Sequence, residues 1–219
     1  QLAKPSIRSG LGTGGVISRS YQDRHHTESI QIELEKETSI DLITLIPVIS
    51  LNSSAGFVAS GFPEEFKLIV GTGQNTNGTV VASFTAEDHL LPRIAPVAIS
   101  LPAIKASWVR LEANVLTRGG WRSDYVLQLS EMMVFNGPDN VALHRPVQMS
   151  SDGRGLSFVM TKESLVDGQV PYLMDAAKGA GSRFHMLNIT GISKPILSID
   201  LGKQYPLDRI HVHAWEIST

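Results

Sequence analysis

An all-β architecture, an antiparallel sandwich of the jelly-roll kind, is what the sequence predicts. Three observations carry it: short runs in which apolar and polar residues alternate, clusters of Gly, Pro, Asn and Ser between those runs, and almost no helical periodicity. Strands of this kind bury one face each against a second layer of strands.

Residues 1–28 are rich in Gly, Ser and charge and read as loop. Gly10, Gly12, Gly14 and Gly15 follow one another closely, yet no Lys-Ser/Thr pair comes after them and no strand-then-helix pattern frames them, so they do not make a phosphate cradle. From residue 30 onward, Ile30, Ile32 and Leu34 alternate with Gln31 and Glu33, a polar stretch follows, and Ile43, Leu45 and Pro47 continue after it. That pattern predicts a strand, a turn and a strand. Asn52-Ser-Ser-Ala-Gly56 and Ser60-Gly-Phe-Pro63 mark loops, and Phe66, Leu68 and Val70 alternate as the next strand. After the turn Gln74-Asn-Thr-Asn-Gly78, residues 80–85, 97–101 and 108–115 read as three strands broken by Pro92, Pro96 and Pro102. Arg118-Gly-Gly-Trp-Arg122 is a loop, and residues 125–135 close the unit as its last strand.

Residues 197–213 repeat residues 30–46 without a gap, at an offset of 167. Ile32 meets Ile199, Leu34 meets Leu201, Lys36 meets Lys203, Asp41 meets Asp208 and Ile43 meets Ile210, with Leu207 over Ile40 and Val212 over Leu45. Two copies of one structural unit are the simplest explanation.

The segment Ile199-Asp-Leu-Gly-Lys-Gln-Tyr-Pro-Leu-Asp-Arg-Ile-His-Val212 resembles the central hairpin of discoidin domains, the coagulation factor V/VIII type C family. Ser107-Trp-Val-Arg-Leu-Glu112 resembles that family's late strand, and Leu129-Ser-Glu-Met-Met-Val-Phe-Asn-Gly137 its closing strand. Asn140-Val-Ala-Leu-His-Arg-Pro-Val-Gln-Met-Ser-Ser151 resembles the opening of a new domain, and Leu165-Val-Asp-Gly-Gln169 the loop after that opening. The resemblance implies a galactose-binding-like jelly roll over 1–138 and the first part of a second over 139–219, joined at Asn136-Gly-Pro-Asp-Asn140. On the same offset the first unit's opening strand falls before Gln1, and the second unit stops about half way. A half sandwich leaves an open sheet edge and an uncovered apolar face, so the second unit is expected to be completed by residues outside this sequence, or to pack on the first unit or on another chain.

With 219 residues, 42% of them hydrophobic, the chain suits one or two domains with a sizeable core. A net charge of −2 gives no general pull toward nucleic acid or anionic lipid. Without cysteine there is no disulfide framework and no thiolate ligand or nucleophile. No run of about 18 apolar residues crosses a membrane, and no basic start leads into an apolar signal segment. The chain opens at Gln1, and it reads as a piece of a longer multidomain protein. Its family resemblance implies an extracellular or periplasmic location.

Hydrolysis would need a nucleophile beside a base, or two carboxylates facing one cleft, and neither is legible, so the chain is read as a non-enzyme. Glu64-Glu65 and Glu87-Asp88 sit beside turns and read as solvated charge. His25-His26 and His211-Val-His213 are the only pairs that suggest a transition metal, and neither shows a third ligand. Asn52-Ser-Ser54, Asn77-Gly-Thr79 and Asn188-Ile-Thr190 fit the glycosylation acceptor pattern, which carries meaning only in an organism that uses it.

The family resemblance implies one calcium ion between the early Asp-Gly loop and the closing-strand Glu, which are Asp167 and Glu131 here. They fall in different units, so they need not meet. Glu131 is equally read as a carboxylate that ties the closing strand to the opening loops. The resemblance also implies ligand contact through loops at one end of the sandwich: Arg118, Trp121, Arg122 and Tyr125 in one loop, Phe57 and Phe62 in another. An indole stacks on the apolar face of a pyranose, and guanidinium groups donate to hydroxyls or carboxylates. Trp121 alternatively plugs the end of the barrel, while Trp108 and Arg110 read as structural. The expected function is non-catalytic recognition of carbohydrate or another extracellular ligand. The alternative is a spacer or protein-interaction module with no small ligand.

Overall fold

A computed structural model of the chain describes residues 15–52, 56–75, 77–90, 95–119, 123–153 and 161–168, and in the last stretch 194, 196, 198, 200–207 and 210. Among these residues thirteen strands follow in order: β1 Val16–Ile17, β2 Glu28–Ile46, β3 Val48–Asn52, β4 Gly56–Ser60, β5 Glu65–Gly71, β6 Thr79–Phe84, β7 Val97–Val115, β8 Thr117–Arg118, β9 Tyr125–Val126, β10 Gln128–Leu129, β11 Glu131–Asn136, β12 Asp139–Asn140 and β13 Val147–Met149. Two short 3-10 turns, Ala86–Asp88 and Lys162–Leu165, are the only helical elements among the described residues. The protein is thus all-β, as its alternation predicts.

One sheet dominates, in the order β12-β11-β2-β7-β5-β6, with β13 also paired to β2. Ribbons β1–β10, β3–β4 and β8–β9 accompany it, and every pairing is antiparallel. Val16 of β1 and Leu129 of β10 share one core with Ile30 and Ile32 of β2, Leu111 of β7 and Val134 of β11. That shared core is the two-layer logic of a sandwich. Phe62 packs edge-on against Phe66 with ring centroids 5.8 Å apart, and Phe66 in turn packs against Phe84 at 4.9 Å. Burying each large apolar side chain of this kind contributes about 1.5–3 kcal/mol.

Two expected interruptions are absent. Residues 30–46 lie within one 19-residue strand, β2, in place of a hairpin, because both halves take the same partner, β7. The polar stretch appears as a register shift between Glu33 and Thr38, with Lys36 and Glu37 exposed. Likewise residues 97–115 form one strand in place of two. Pro102 lacks the amide that a ladder position needs, and it sits in a second irregularity, where Ile40 pairs with Ile104 but Leu42 with Ser100. Bulges of this kind bend a strand without ending it.

Trp108 lies in phase with Arg110 and out of phase with the core residues Val109 and Leu111, so it faces the other side of the sheet. It is nonetheless only 6% exposed. Arg110 stacks over its ring at 4.7 Å, and the backbone at Gly71 and Gly78 approaches so closely that a Cβ on either would meet the indole at 2.2 or 2.5 Å.

Residues 139–153 and 161–168, which were expected to open a second unit, lie against the sheet built from residues 28–136. Gly137, at φ 56, turns β11 back into β12. β13 then pairs Val147 with Ile32 and Met149 with Ile30, and Leu165 and Val166 are buried in the core at 0% and 1% exposure. Most of the repeated segment 197–213 falls outside the described residues or carries no regular element. Leu201, Leu207 and Ile210 are 46%, 63% and 79% exposed, whereas their counterparts Leu34, Ile40 and Ile43 are 8%, 0% and 0%.

Candidate functional site

Two carboxylates among the described residues are completely enclosed, Glu28 and Glu131, and they differ in how they are satisfied. A buried carboxylate must be hydrogen-bonded or neutralised. Glu28 is saturated by hydroxyls: the Tyr21 and Ser151 hydroxyls donate to Oε1, the latter at 2.8 Å, and the Ser150 hydroxyl donates to Oε2. His26 stacks on Tyr21 with ring centroids 3.5 Å apart and brings Nε2 to 3.7 Å from Glu28. Burial, and next the hydrogen bond to Glu28, raises the Tyr21 phenol above its ordinary value. This is a structural carboxylate that ties the start of β2 to the residues after β13. Its signal is legible in the sequence, since Glu28 stands in phase with Ile30 and Ile32 on the buried face of β2.

Glu131 is different. Its Oε1 accepts the Gly168 amide at 2.9 Å, and its Oε2 is buried with no hydrogen-bond partner. Asp167 lies beside it. Desolvation first, and the Asp167 charge second, push the Glu131 carboxyl up to about 10. Two carboxyl groups at one buried place either share a proton or bind a cation.

Glu131 and Asp167, read as members of different units, therefore meet. The turn Lys162–Leu165 brings them together, because burial of Leu165 and Val166 carries Asp167-Gly168 onto the start of β11. The donor set suits a hard cation. Two carboxylates are the oxygen ligands that calcium takes, with the remainder of six to eight oxygens coming from backbone carbonyls and water. No group of three or more His, Cys, Asp or Glu side chains able to hold a metal exists among the described residues, so a cation here depends on those further oxygens.

The second candidate place is the β8–β9 ribbon. Arg118 and Tyr125 are directly opposed in its register, and the guanidinium stands 5.6 Å from the Tyr125 ring centroid. Gly119 donates its amide to the Asp124 carbonyl at 3.4 Å, closing the base of the loop. Tyr21 bridges to Tyr125, and Gln22 Nε2 donates to Asp124 Oδ1 at 2.7 Å, so the segment after β1 runs alongside. Arg118 is exposed and Tyr125 half-buried. Trp121 and Arg122 lie outside the described residues, as do His211 and His213. The Phe57 backbone is in β4, and its side chain lies outside what is described.

Phe62 is a correction. Read as a ligand-touching loop residue, it is 0% exposed and belongs to the core. The loop signal in Ser60-Gly-Phe-Pro63 is real, since Gly61 takes φ 61, but the turn folds the ring inward against Phe66.

No family model matches the chain, and no curated protein does. Among solved structures it is similar to CBM32-3 from a family 31 glycoside hydrolase of Clostridium perfringens, at 17% identity over 61% of this chain and 86% of that one, with a TM-score of 0.42. It is similar also to chitosan-binding module 2 of a chitosanase/glucanase from Paenibacillus sp. IK-5, solved with chitotriose, at 20% identity over 58% and 98% of the two chains and a TM-score of 0.35. A third similar structure is CBM32-5 from Clostridium perfringens, in complex with GalNAc-β-1,3-galactose, at 17% identity over 52% and 78% and a TM-score of 0.35. At such identities and scores these likenesses carry no argument about what this chain binds.

Proposed function

We propose that the chain is a non-catalytic carbohydrate-binding module that holds its ligand at the loop end framed by Arg118 and Tyr125. The observation that carries this reading is the exposed guanidinium of Arg118, held over the Tyr125 ring by the β8–β9 register. A planar cation on a rigid strand end presents fixed donors to sugar hydroxyls or carboxylates at small entropic cost. Trp121 and Arg122 extend the same loop, and an indole there supplies the stacking face that a pyranose needs.

A calcium ion at Glu131 and Asp167 completes the proposal. It would be held by these two carboxylates, and it would fasten the loop at 167–168 to the closing strand and take no part in any reaction. The module works within a larger multidomain protein, in the extracellular or periplasmic space, with carbohydrate or an extracellular protein as its partner. No helix among the described residues is long and apolar enough to cross a membrane.

A glycan array of the intact chain tests the reading. The expected result is binding that falls at least about tenfold in Trp121→Ala and in Arg118→Ala, the loss of one good contact. Binding that survives both substitutions moves the site elsewhere. An array with no signal favours a spacer that orients neighbouring domains.

A further inference from the structure

Residues 139–153 and 161–168 attach to the sheet through a set of hydrogen bonds to its backbone and to its two enclosed carboxylates. The Glu33 amide donates to the Pro146 carbonyl at 3.0 Å, and the Ser150 amide to the Ser29 carbonyl at 3.0 Å, at either end of the β13–β2 ladder. The hydroxyls of Ser150 and Ser151 both end on Glu28. Gly153 donates its amide to the Ile17 carbonyl at 3.0 Å, in a gap so narrow that a Cβ there would stand 1.9 Å from the Ser18 carbonyl oxygen. The Gly168 amide ends on Glu131. Both enclosed carboxylates thus take donors from this one segment.

By sequence order the segment has a second address. At the offset of 167, Gln31, Ile32 and Glu33 correspond to Ser198, Ile199 and Asp200. A strand that fits beside Gln31 in this register would fit beside Ser198 in the later copy. The copies differ at the decisive position, because Glu28 corresponds to Pro195, which has neither a carboxylate for the serine hydroxyls nor an amide for a ladder.

We infer that residues 139–153 and 161–168 are a donor segment with two addresses in one chain, and that they seat on the strand at Glu28–Ile46 because Glu28 and Glu131 receive their donors there. The segment that opens the later copy by sequence thereby completes the earlier one in space. The later copy keeps Leu201, Leu207 and Ile210 open to solvent.

The absence of native cysteine makes the test clean. Gln148 is the register partner of Gln31, and paired strand positions place their Cα atoms within the range a disulfide spans. The full chain carrying Gln31→Cys and Gln148→Cys is expected to oxidise within one molecule, while the chain carrying Gln148→Cys and Ser198→Cys stays reduced. The reverse result overturns the inference, as does a disulfide at positions 31 and 148 that forms only between molecules. Amide exchange in the unmodified chain gives a second readout. Slow exchange at Glu33 with fast exchange at Asp200 supports the inference even if neither pair oxidises. Fast exchange at Glu33 ends it.

Discussion

The Gly168 amide reaches Oε1 of Glu131 at 2.9 Å, across 37 positions of sequence, and the Asp167 carboxyl stands beside the same buried group. A buried carboxylate beside Asp167 is costly unless something positive arrives. Calcium is expected to raise the unfolding temperature of the chain, and a chelator to reverse the rise. In Glu131→Gln the response disappears although the amide oxygen still accepts from Gly168. Differential scanning fluorimetry with and without calcium checks this, and a wild-type curve that ignores the ion removes the proposed site.

The same residue sets an unusual pH dependence. A carboxylate in an ion pair stabilises a fold above its ordinary pKa, but the Glu131 carboxyl is pushed up to about 10, so the fold favours its protonated form. That contribution is complete below the ordinary value of 4.5 and is lost as pH rises toward the folded value. The slope is at most about 1.4 kcal/mol per pH unit. In chelator, the urea midpoint is therefore expected to fall between pH 5 and pH 8, and added calcium to flatten the fall. A midpoint that rises over that range would show the pair ionised without a cation.

Phe62 separates stability from binding. Its ring is fully enclosed and packs on Phe66, so Phe62→Ala is expected to cost about 3–5 kcal/mol in denaturant unfolding. At a temperature where the variant remains folded, its affinity for any glycan found on the array should match that of the parent. A selective loss of affinity would return Phe62 to the binding surface.

Glu28 binds the chain to itself. Glu28→Ala leaves the hydroxyls of Tyr21, Ser150 and Ser151 without their shared acceptor, a loss of about 0.5–1.5 kcal/mol for each hydrogen bond. Gly153→Ala meets the Ser18 carbonyl and should loosen the same attachment. Both variants are expected to speed amide exchange at Glu33, whose acceptor is Pro146, more than at Leu111 in the core. Equal effects at the two positions would mean that residues 139–153 and 161–168 do not move as a separate element.

Alternation alone placed Ile30, Ile32 and Leu34, and then Phe66, Leu68 and Val70, on one face of a strand each, and all six are buried. Period-two patterning is local, so a single strand displays it wherever its partners come from. The same logic misread residues 30–46, because a polar interruption looks alike whether it turns the chain back or only shifts its register, and only the shared partner β7 distinguishes the two. The composition of Ser60-Gly-Phe-Pro63 gave the turn at Gly61 and left the direction of the Phe62 ring to Phe66, a contact that packing alone creates. The residue types of Glu131 and Asp167 were on view from the start. Their meeting was decided by burial of Leu165 and Val166, and long-range burial of that kind leaves no periodicity for a sequence to show.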